Sequence, residues 1–336
     1  MTHNWRAVAA LLLILIVAPA AAPLRSTAAP PSPATEAAPA LGSRTQIYIG
    51  QGFDTCEIPS FEALQEWITR SPYGAVNLYI GGVARACPVQ ARMTAPFLAR
   101  LAGIGWKFIP TWVGPQAPCF VNNPDNPKPK PLMSPDPALS YNQGITEANA
   151  AIAVATSLGL AEADGSGTII YYDMEYYDTG NSDCSAAVRS FISGWTGRLR
   201  SRGNLVGVYS IVWPLTSFAD IDNVPDAIWA ARWVYTAYTS TVTVRDIPQL
   251  SPTLWVDHQR IWQYAGGHNE AWNLIGSESW EHTADQNSDT SHSETWGSVT
   301  LNIDCDVIDG IVASIPPPDL PIKLYLPTIL NGVTSP

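Results

Sequence analysis

A chain of 336 residues with 46% hydrophobic and 14% charged residues, 13 Trp and 13 Tyr can bury a large core, which excludes global disorder. Lys and Arg total 18 against 29 Asp and Glu, a net charge of −11. That balance excludes a nucleic-acid or anionic-lipid binder built on clustered cations and points to a neutral or cationic partner. The length suits two ordinary domains or one large barrel.

In chain order, Arg6 precedes an apolar run, Ala7–Ala22, and then small residues including Ala28 and Ala29. This is the layout of a secretory signal peptide over residues 1–29. The run is short for a bilayer span, and an uncleaved anchor is the alternative reading. No Cys follows for lipid attachment, and no Arg-Arg pair marks twin-arginine export. Removing residues 1–29 takes away two Arg and no acid, leaving a charge of −13. Residues 30–44 are rich in Ala, Pro, Ser and Thr and read as a flexible linker. Export places Cys56, Cys87, Cys119, Cys184 and Cys305 in an oxidising compartment. Four of them can form two bridges in three connectivities, with one left over. No CxxC spacing supports structural zinc.

The spacing predicts strands at Gln46–Asp54, Ala75–Ile80, Lys107–Val113, Thr168–Asp173, Leu205–Ser210, Ala227–Arg232, Arg260–Ala265 and Val299–Asp304. Between them it predicts helices at Phe61–Thr69, capped by Ser60, and Thr94–Ile104, capped by Thr94. Further helices are predicted at Thr146–Leu158 and Ser182–Ser201, and the Pro-rich stretch Gly114–Asn142 reads as a loop. The strands are nearly continuous apolar runs, as in a parallel sheet buried on both faces. Eight βα units fit a single-domain α/β fold, the TIM (β/α)8 barrel, over residues 45–312. The alternative, an open doubly wound sheet, lacks its GxGxxG after the first strand. Residues 313–336 form a Pro-rich tail whose apolar stretch is too short to cross a bilayer.

In such a barrel the functional face lies at the C-terminal ends of the strands. Those ends carry Asp54, Trp112, Asp173 with Glu175, Tyr209, Arg232 with Trp233, Tyr264 and Asp304 with Asp306. In Tyr171-Tyr172-Asp173-Met174-Glu175 the two acids sit at i and i+2, on one face of a strand. Neighbouring carboxylates do not readily both ionise, so one is held protonated as a general acid beside an anion. That pairing suits glycosidic cleavage. The bland alternative is that both acids cap the next helix. Asp54 can likewise serve an Asx-turn. The acids of Asn302–Asp309 lack the loop Gly of an EF-hand, which argues against calcium. No HExxH, GxSxG or P-loop occurs, so neither a metal nor a cofactor is expected. His268 follows the seventh strand and reads as a hydrogen-bonded loop residue. The rings of Trp112, Tyr209, Trp213, Trp233 and Trp262 can stack on sugars or simply pack.

The blocks GFDTC, SPYGAVNLYIGG, GWKFIPTWVGPQAPC, IIYYDMEYYD, GVYS, IWAARW, HQRIWQYAGGH and LNIDCDVID, in order from Thr45 to Ile311, carry a resemblance. They resemble the exported glycoside-hydrolase-like proteins grouped as domain of unknown function 1906, which are similar to family 25 lysozymes. The resemblance implies a TIM barrel with Glu175 as proton donor. It implies Asp173 as the stabiliser of a charged intermediate or guide of an N-acetyl group, and Asp54 and Asp304 as positioners of water or sugar. From their places at the strand ends, Trp112, Tyr209, Arg232, Trp233 and Tyr264 are expected to bind the substrate. Family 18 chitinases also use a strand-4 DxE, but with further Asp residues where this chain has Thr168 and Tyr171. Strand order predicts the bridges Cys56–Cys87 and Cys119–Cys184, each between loops of adjacent strands, with Cys305 free and buried.

The reading is therefore a secreted or cell-envelope monomer, acting on an N-acetylated, peptidoglycan-type polysaccharide and not inserted in a membrane once the leader is cleaved. The alternatives are a non-catalytic carbohydrate-binding barrel or an envelope protein using the same cleft.

Overall fold

The computed structural model describes residues 39–120, 130–275, 279–285 and 299–316. The expected signal peptide, most of the linker and most of the tail lie outside them. Nine strands and five helices follow one another within the described residues. The strands are β1 (Thr45–Asp54), β2 (Tyr73–Gly81), β3 (Lys107–Trp112), β4 (Ile169–Asp173), β5 (Leu205–Ile211), β6 (Ala227–Ala231), β7 (Arg260–Ile275), β8 (Ser279–Asp285) and β9 (Thr300–Ala313). The helices are α1 (Phe61–Arg70), α2 (Ala95–Gly103), α3 (Pro137–Ser157), α4 (Ser182–Ser201) and α5 (Val212–Ser217).

Helix starts follow local chemistry. The Ser60 hydroxyl accepts from Ala63 N at 3.2 Å, and the Thr94 hydroxyl from Phe97 N at 3.4 Å. The third long helix begins nine residues before its expected start of Thr146. Asp136 caps it, accepting from Ala138 N at 2.8 Å, and Pro137 occupies its first turn. A proline there costs nothing, because its missing N–H would have had no partner. The Pro-rich composition therefore hid a helix start.

Eight strands close into a barrel in the order β1-β2-β3-β4-β5-β6-β7-β9, with β9 returning to β1; β8 extends the sheet as a hairpin with β7. Neighbours from β1 through β7 run parallel. The closing strand β9 is antiparallel to both β1 and β7. It pairs Asp54 with Asp304 and Gly52 with Asp306. The last stave thus starts at the rim where the parallel staves end. Asp304 reaches the expected rim from the beginning of its strand, whereas a uniformly parallel reading places it at the end.

Between β6 and β7 the chain makes no helix. Its backbone instead takes left-handed conformations at Gln249, Trp255 and His258. Such a connection needs donors for its carbonyls. Buried Arg260 supplies them, donating to Leu254 O at 3.0 Å, Ser251 O at 2.9 Å and Val244 O at 3.2 Å. No helix of the described residues is long and apolar enough to cross a membrane.

Outside the barrel, α3 and α4 cross through glycines. A Cβ on Gly144 would collide with the Phe191 carbonyl, and one on Gly194 with that of Tyr141. Gly144→Val should therefore lower stability by about 1–3 kcal/mol, the usual overpacking cost. A urea unfolding midpoint unchanged from wild type would refute this close approach.

Candidate active site

Side chains alternate along each stave, and the inward ones build the mouth. On β4, Tyr171 points into the barrel. Its hydroxyl donates to Ile311 O of β9 at 2.8 Å, and its ring meets Trp229 edge-on at 6.3 Å. Tyr172 faces outward, against Phe191 and Trp195 of α4. Asp173, two residues beyond Tyr171, returns to the inner face. On β6, Trp229 packs against Tyr209 of β5 at 4.9 Å and donates to Asp306 Oδ1 at 2.7 Å. These rings floor the mouth.

Above the floor, Gln263 of β7 gathers four partners. It is 2% exposed. Its Nε2 donates to Asp54 Oδ2 at 2.7 Å and to Asp304 Oδ2 at 3.3 Å. Its Oε1 accepts from Trp233 Nε1 at 2.8 Å and from the Tyr209 hydroxyl at 3.1 Å. One end of the amide meets only acceptors and the other only donors, so its orientation is forced. Asp54 also accepts from the Tyr79 hydroxyl at 3.1 Å.

These acids do not titrate ordinarily. Burial pushes the Asp54 carboxyl well above the usual carboxylate range, and the charges of Asp304 and Asp306 add to the rise, against the hydrogen bonds from Gln263 and Tyr79. Asp306 is raised chiefly by burial as well, with the Trp229 N–H opposing. Asp173 is raised first by burial and then by the charge of Glu175, with Lys130 opposing. Its Oδ1 makes no hydrogen bond within the described structure.

β4 ends at Asp173, so Glu175 lies in the segment beyond it. Buried Gln116 fixes that segment. Its Oε1 accepts from Glu175 N at 2.9 Å, while its Nε2 donates to Asp173 O at 3.0 Å and Gly114 O at 3.1 Å. The Glu175 side chain is 36% exposed and pairs with Lys130 Nζ at 2.7 Å. Asp54, Asp173, Glu175 and Asp304 together line one cleft of about 210 Å³, with Arg85 and Lys130 among its other walls. Two disulfides brace its loops. Cys56–Cys87 joins the chains leaving β1 and β2, and Cys119–Cys184 ties the chain after β3 to the start of α4. Cys305 belongs to neither disulfide and is buried, its sulfur 2.9 Å from the Tyr73 hydroxyl. Among the described residues no group of three or more His, Cys, Asp or Glu is arranged to hold a metal ion.

The expected sugar-binding residues divide by strand parity. Tyr209 and Trp233 reach the mouth through Gln263. Trp233 is 56% exposed and covers Gly266, where a Cβ would strike its indole and come close to Asp304. Arg232 lies with its guanidinium 5.9 Å from the Trp213 ring centre. Trp112 and Tyr264 do not join the cleft. Trp112 faces the helices, donating to Glu147 Oε2 of α3 at 2.6 Å. Tyr264 is buried beside Tyr235 and Trp262, with its hydroxyl on Gln51 Oε1 at 2.9 Å. Both occupy outward positions, one residue out of phase with the inner face. His268 falls within β7, and its side chain lies outside the described residues. Arg85 falls in Arg85-Ala86-Cys87, a further block that carries the family resemblance, but the sequence assigns no site role to it or to Gln263, Gln116, Tyr79 and Lys130. The available signal was Gln263 itself, a polar residue inside the apolar run of β7, where burial demands partners.

The Rv2525c-like, glycoside hydrolase-like domain model matches residues 65–308. The chain belongs to this family. The match runs from within α1 into β9, and the family is the same as domain of unknown function 1906. Among solved structures, an uncharacterised protein of B. stearothermophilus is 12% identical, with a TM-score of 0.44 over 77% of this chain and 95% of that one. The Mycobacterium tuberculosis Tat-secreted protein Rv2525c is 13% identical, with a TM-score of 0.41 over 78% and 96%. The Clostridium perfringens spore cortex lytic enzyme SleM is 11% identical, with a TM-score of 0.44 over 77% and 67%. No curated protein matches the chain.

Two measurements test the electrostatics of the mouth. Gln263→Leu strips Asp54 and Asp304 of a shared donor and should cost about 1–3 kcal/mol in urea unfolding; a neutral result would remove Gln263 from the centre of the site. Burial keeps Asp173 protonated to higher pH in the folded chain than in the unfolded one. The stability it contributes is complete below the ordinary carboxylate range and falls as pH rises through its raised value. Asp173→Asn carries no charge at any pH, so its melting temperature relative to wild type should climb from about pH 4 to about pH 8. Parallel pH profiles would contradict the raised titration of Asp173.

Proposed function

We propose that the protein is an exported glycoside hydrolase that cleaves an N-acetylated polysaccharide of the peptidoglycan type. The observation that carries this reading is the convergence of Asp54, Asp173, Glu175 and Asp304 on one cleft. Export is supported by the two disulfides, which form in oxidising compartments. Membership of a glycoside hydrolase-like family supports the reaction class.

Glu175 is the proton donor in this proposal, because it is the more exposed of the strand-4 pair and can reach a glycosidic oxygen. Its proton passes to that oxygen as the bond to the anomeric carbon breaks, and a water oxygen takes the vacated position while a carboxylate accepts the water's proton. Asp54 and Asp304, oriented by Gln263, position that water or the sugar. Asp173 offers its unpartnered Oδ1 to the substrate N-acetyl N–H. Tyr209, Arg232 and Trp233 flank the sugar. Lys130 must release Glu175 before the acid can work.

That same ion pair favours a second reading, a barrel that binds carbohydrate without turning it over, since it keeps the donor engaged. Reducing-end release from peptidoglycan and chitin oligomers separates the two. Glu175→Gln should reduce release by about 10²–10⁴-fold, the worth of a general acid, while oligomer binding persists. Release that survives the substitution rejects the assignment of Glu175. Binding without release in the wild type selects the second reading.

A further inference from the structure

The cleft holds two cations, and they are engaged differently. Lys130 is paired with Glu175. Arg85 has no carboxylate partner among the described residues; its guanidinium donates only to backbone carbonyls, to Tyr79 O at 3.2 Å through Nη1 and to Gly82 O at 3.3 Å through Nε. It nevertheless lines the same cavity as the acids. A guanidinium carries five N–H donors in a rigid fork, and two carbonyls leave most of them unused.

Arg85 is also held in place before any ligand arrives. Gly82 has a φ of +100°, and a Cβ there would collide with the Val113 carbonyl. Two backbone bonds clamp this segment to the end of β3, Ala84 N to Val113 O at 2.9 Å and Val113 N to Gly81 O at 3.0 Å. Two residues beyond Arg85, Cys87 is bridged to Cys56. A fixed donor binds with little ordering cost. Burial disfavours the charged form of Arg85 and pulls its titration below the ordinary value. A counter-anion would reverse that cost.

We propose that Arg85 is a binding site for a carboxylate carried by the saccharide, so that the cleft selects an acidic sugar ring over a neutral one. The inference rests on the glycan reading of the cleft and deepens it. The net charge of −11 disfavours a dense polyanion, but it does not oppose a single carboxylate seated against a single guanidinium. The carboxylate belongs either to an ether-linked lactyl arm, as on a muramyl ring, or to the ring itself, as in a uronic acid. Carboxylates elsewhere on the sugar would meet the acids of the mouth and be repelled, so Arg85 fixes which end of the ring faces β2.

The test is calorimetric titration of the full chain with N-acetylmuramate and with glucuronate, each against its neutral counterpart, N-acetylglucosamine and glucose. One or both acids should bind at least about tenfold tighter than the neutral match, as expected for charge-assisted hydrogen bonds. Preference for muramate alone identifies the lactyl arm, and preference for glucuronate alone the ring carboxylate. Arg85→Gln should abolish the preference and leave binding of the neutral sugar unchanged. Arg85→Lys should restore part of it, because charge returns without the fork. Equal binding of acid and neutral sugars, no binding of either acid, or a preference that survives Arg85→Gln overturns the proposal. Circular dichroism of both variants identifies a misfolded one, and in that case wild-type discrimination alone decides. Hydrolysis does not enter this readout. A carboxylate preference without turnover keeps the Arg85 site and removes the hydrolase, whereas turnover of neutral chitin without preference does the reverse.

Discussion

Two acids that repel one another, Asp54 and Asp304, face each other across the seam between the first and last staves, and one buried amide donates to both. Loss of the Gln263 N–H groups would take a shared donor from both carboxylates and leave Asp54 with the Tyr79 hydroxyl. The other end of the amide accepts from Tyr209 and Trp233. A single side chain therefore ties the acid side of the mouth to its aromatic side. Its own place depends on β7 lying beside β9 in a register that sets Gln263 against Asp306.

That register is the work of the antiparallel closing stave. A parallel eighth strand would carry its residues toward the rim at its end. β9 carries them there at its beginning and then runs down through the barrel, where Asp306 meets Trp229 and Ile311 O meets Tyr171. The same strand thus serves the mouth and locks the floor beneath it. Burial of these polar groups is tolerable where a partner is supplied, as it is for Asp54, Gln263 and the Tyr171 hydroxyl. Asp173 Oδ1 and Asp306 Oδ2 are both buried without a partner, and of the two residues Asp173 lines the cleft.

Much of the framework was legible from residues a few positions apart. Ser60 and Thr94 announce their helices, and the apolar runs from Gln46 to Asp304 mark the eight staves. Tyr171-Tyr172-Asp173 alternates as a strand must, and the order of β1 to β4 pairs the four bridging cysteines. Other features were not legible. Trp112 and Tyr264 stand at strand ends, which points to the mouth, but a strand end has two faces, and a shift of one residue chooses between them. The start of α3 was hidden because proline reads as a loop former unless its cap, Asp136, is seen with it.

The sequence by itself determined the staves, most of the helices, the chemistry available at the rim and the adjacency of Asp173 to Glu175, because each depends on contacts within a turn or a strand. Only the tertiary structure decided the direction of β9, the bridging role of Gln263, the pairing of Lys130 with Glu175 and the placing of Arg85 in the cavity of Asp54, Asp173 and Asp304. These join residues tens to hundreds of positions apart, and nothing local specifies them. They follow from how the barrel closes, a property of all the staves together.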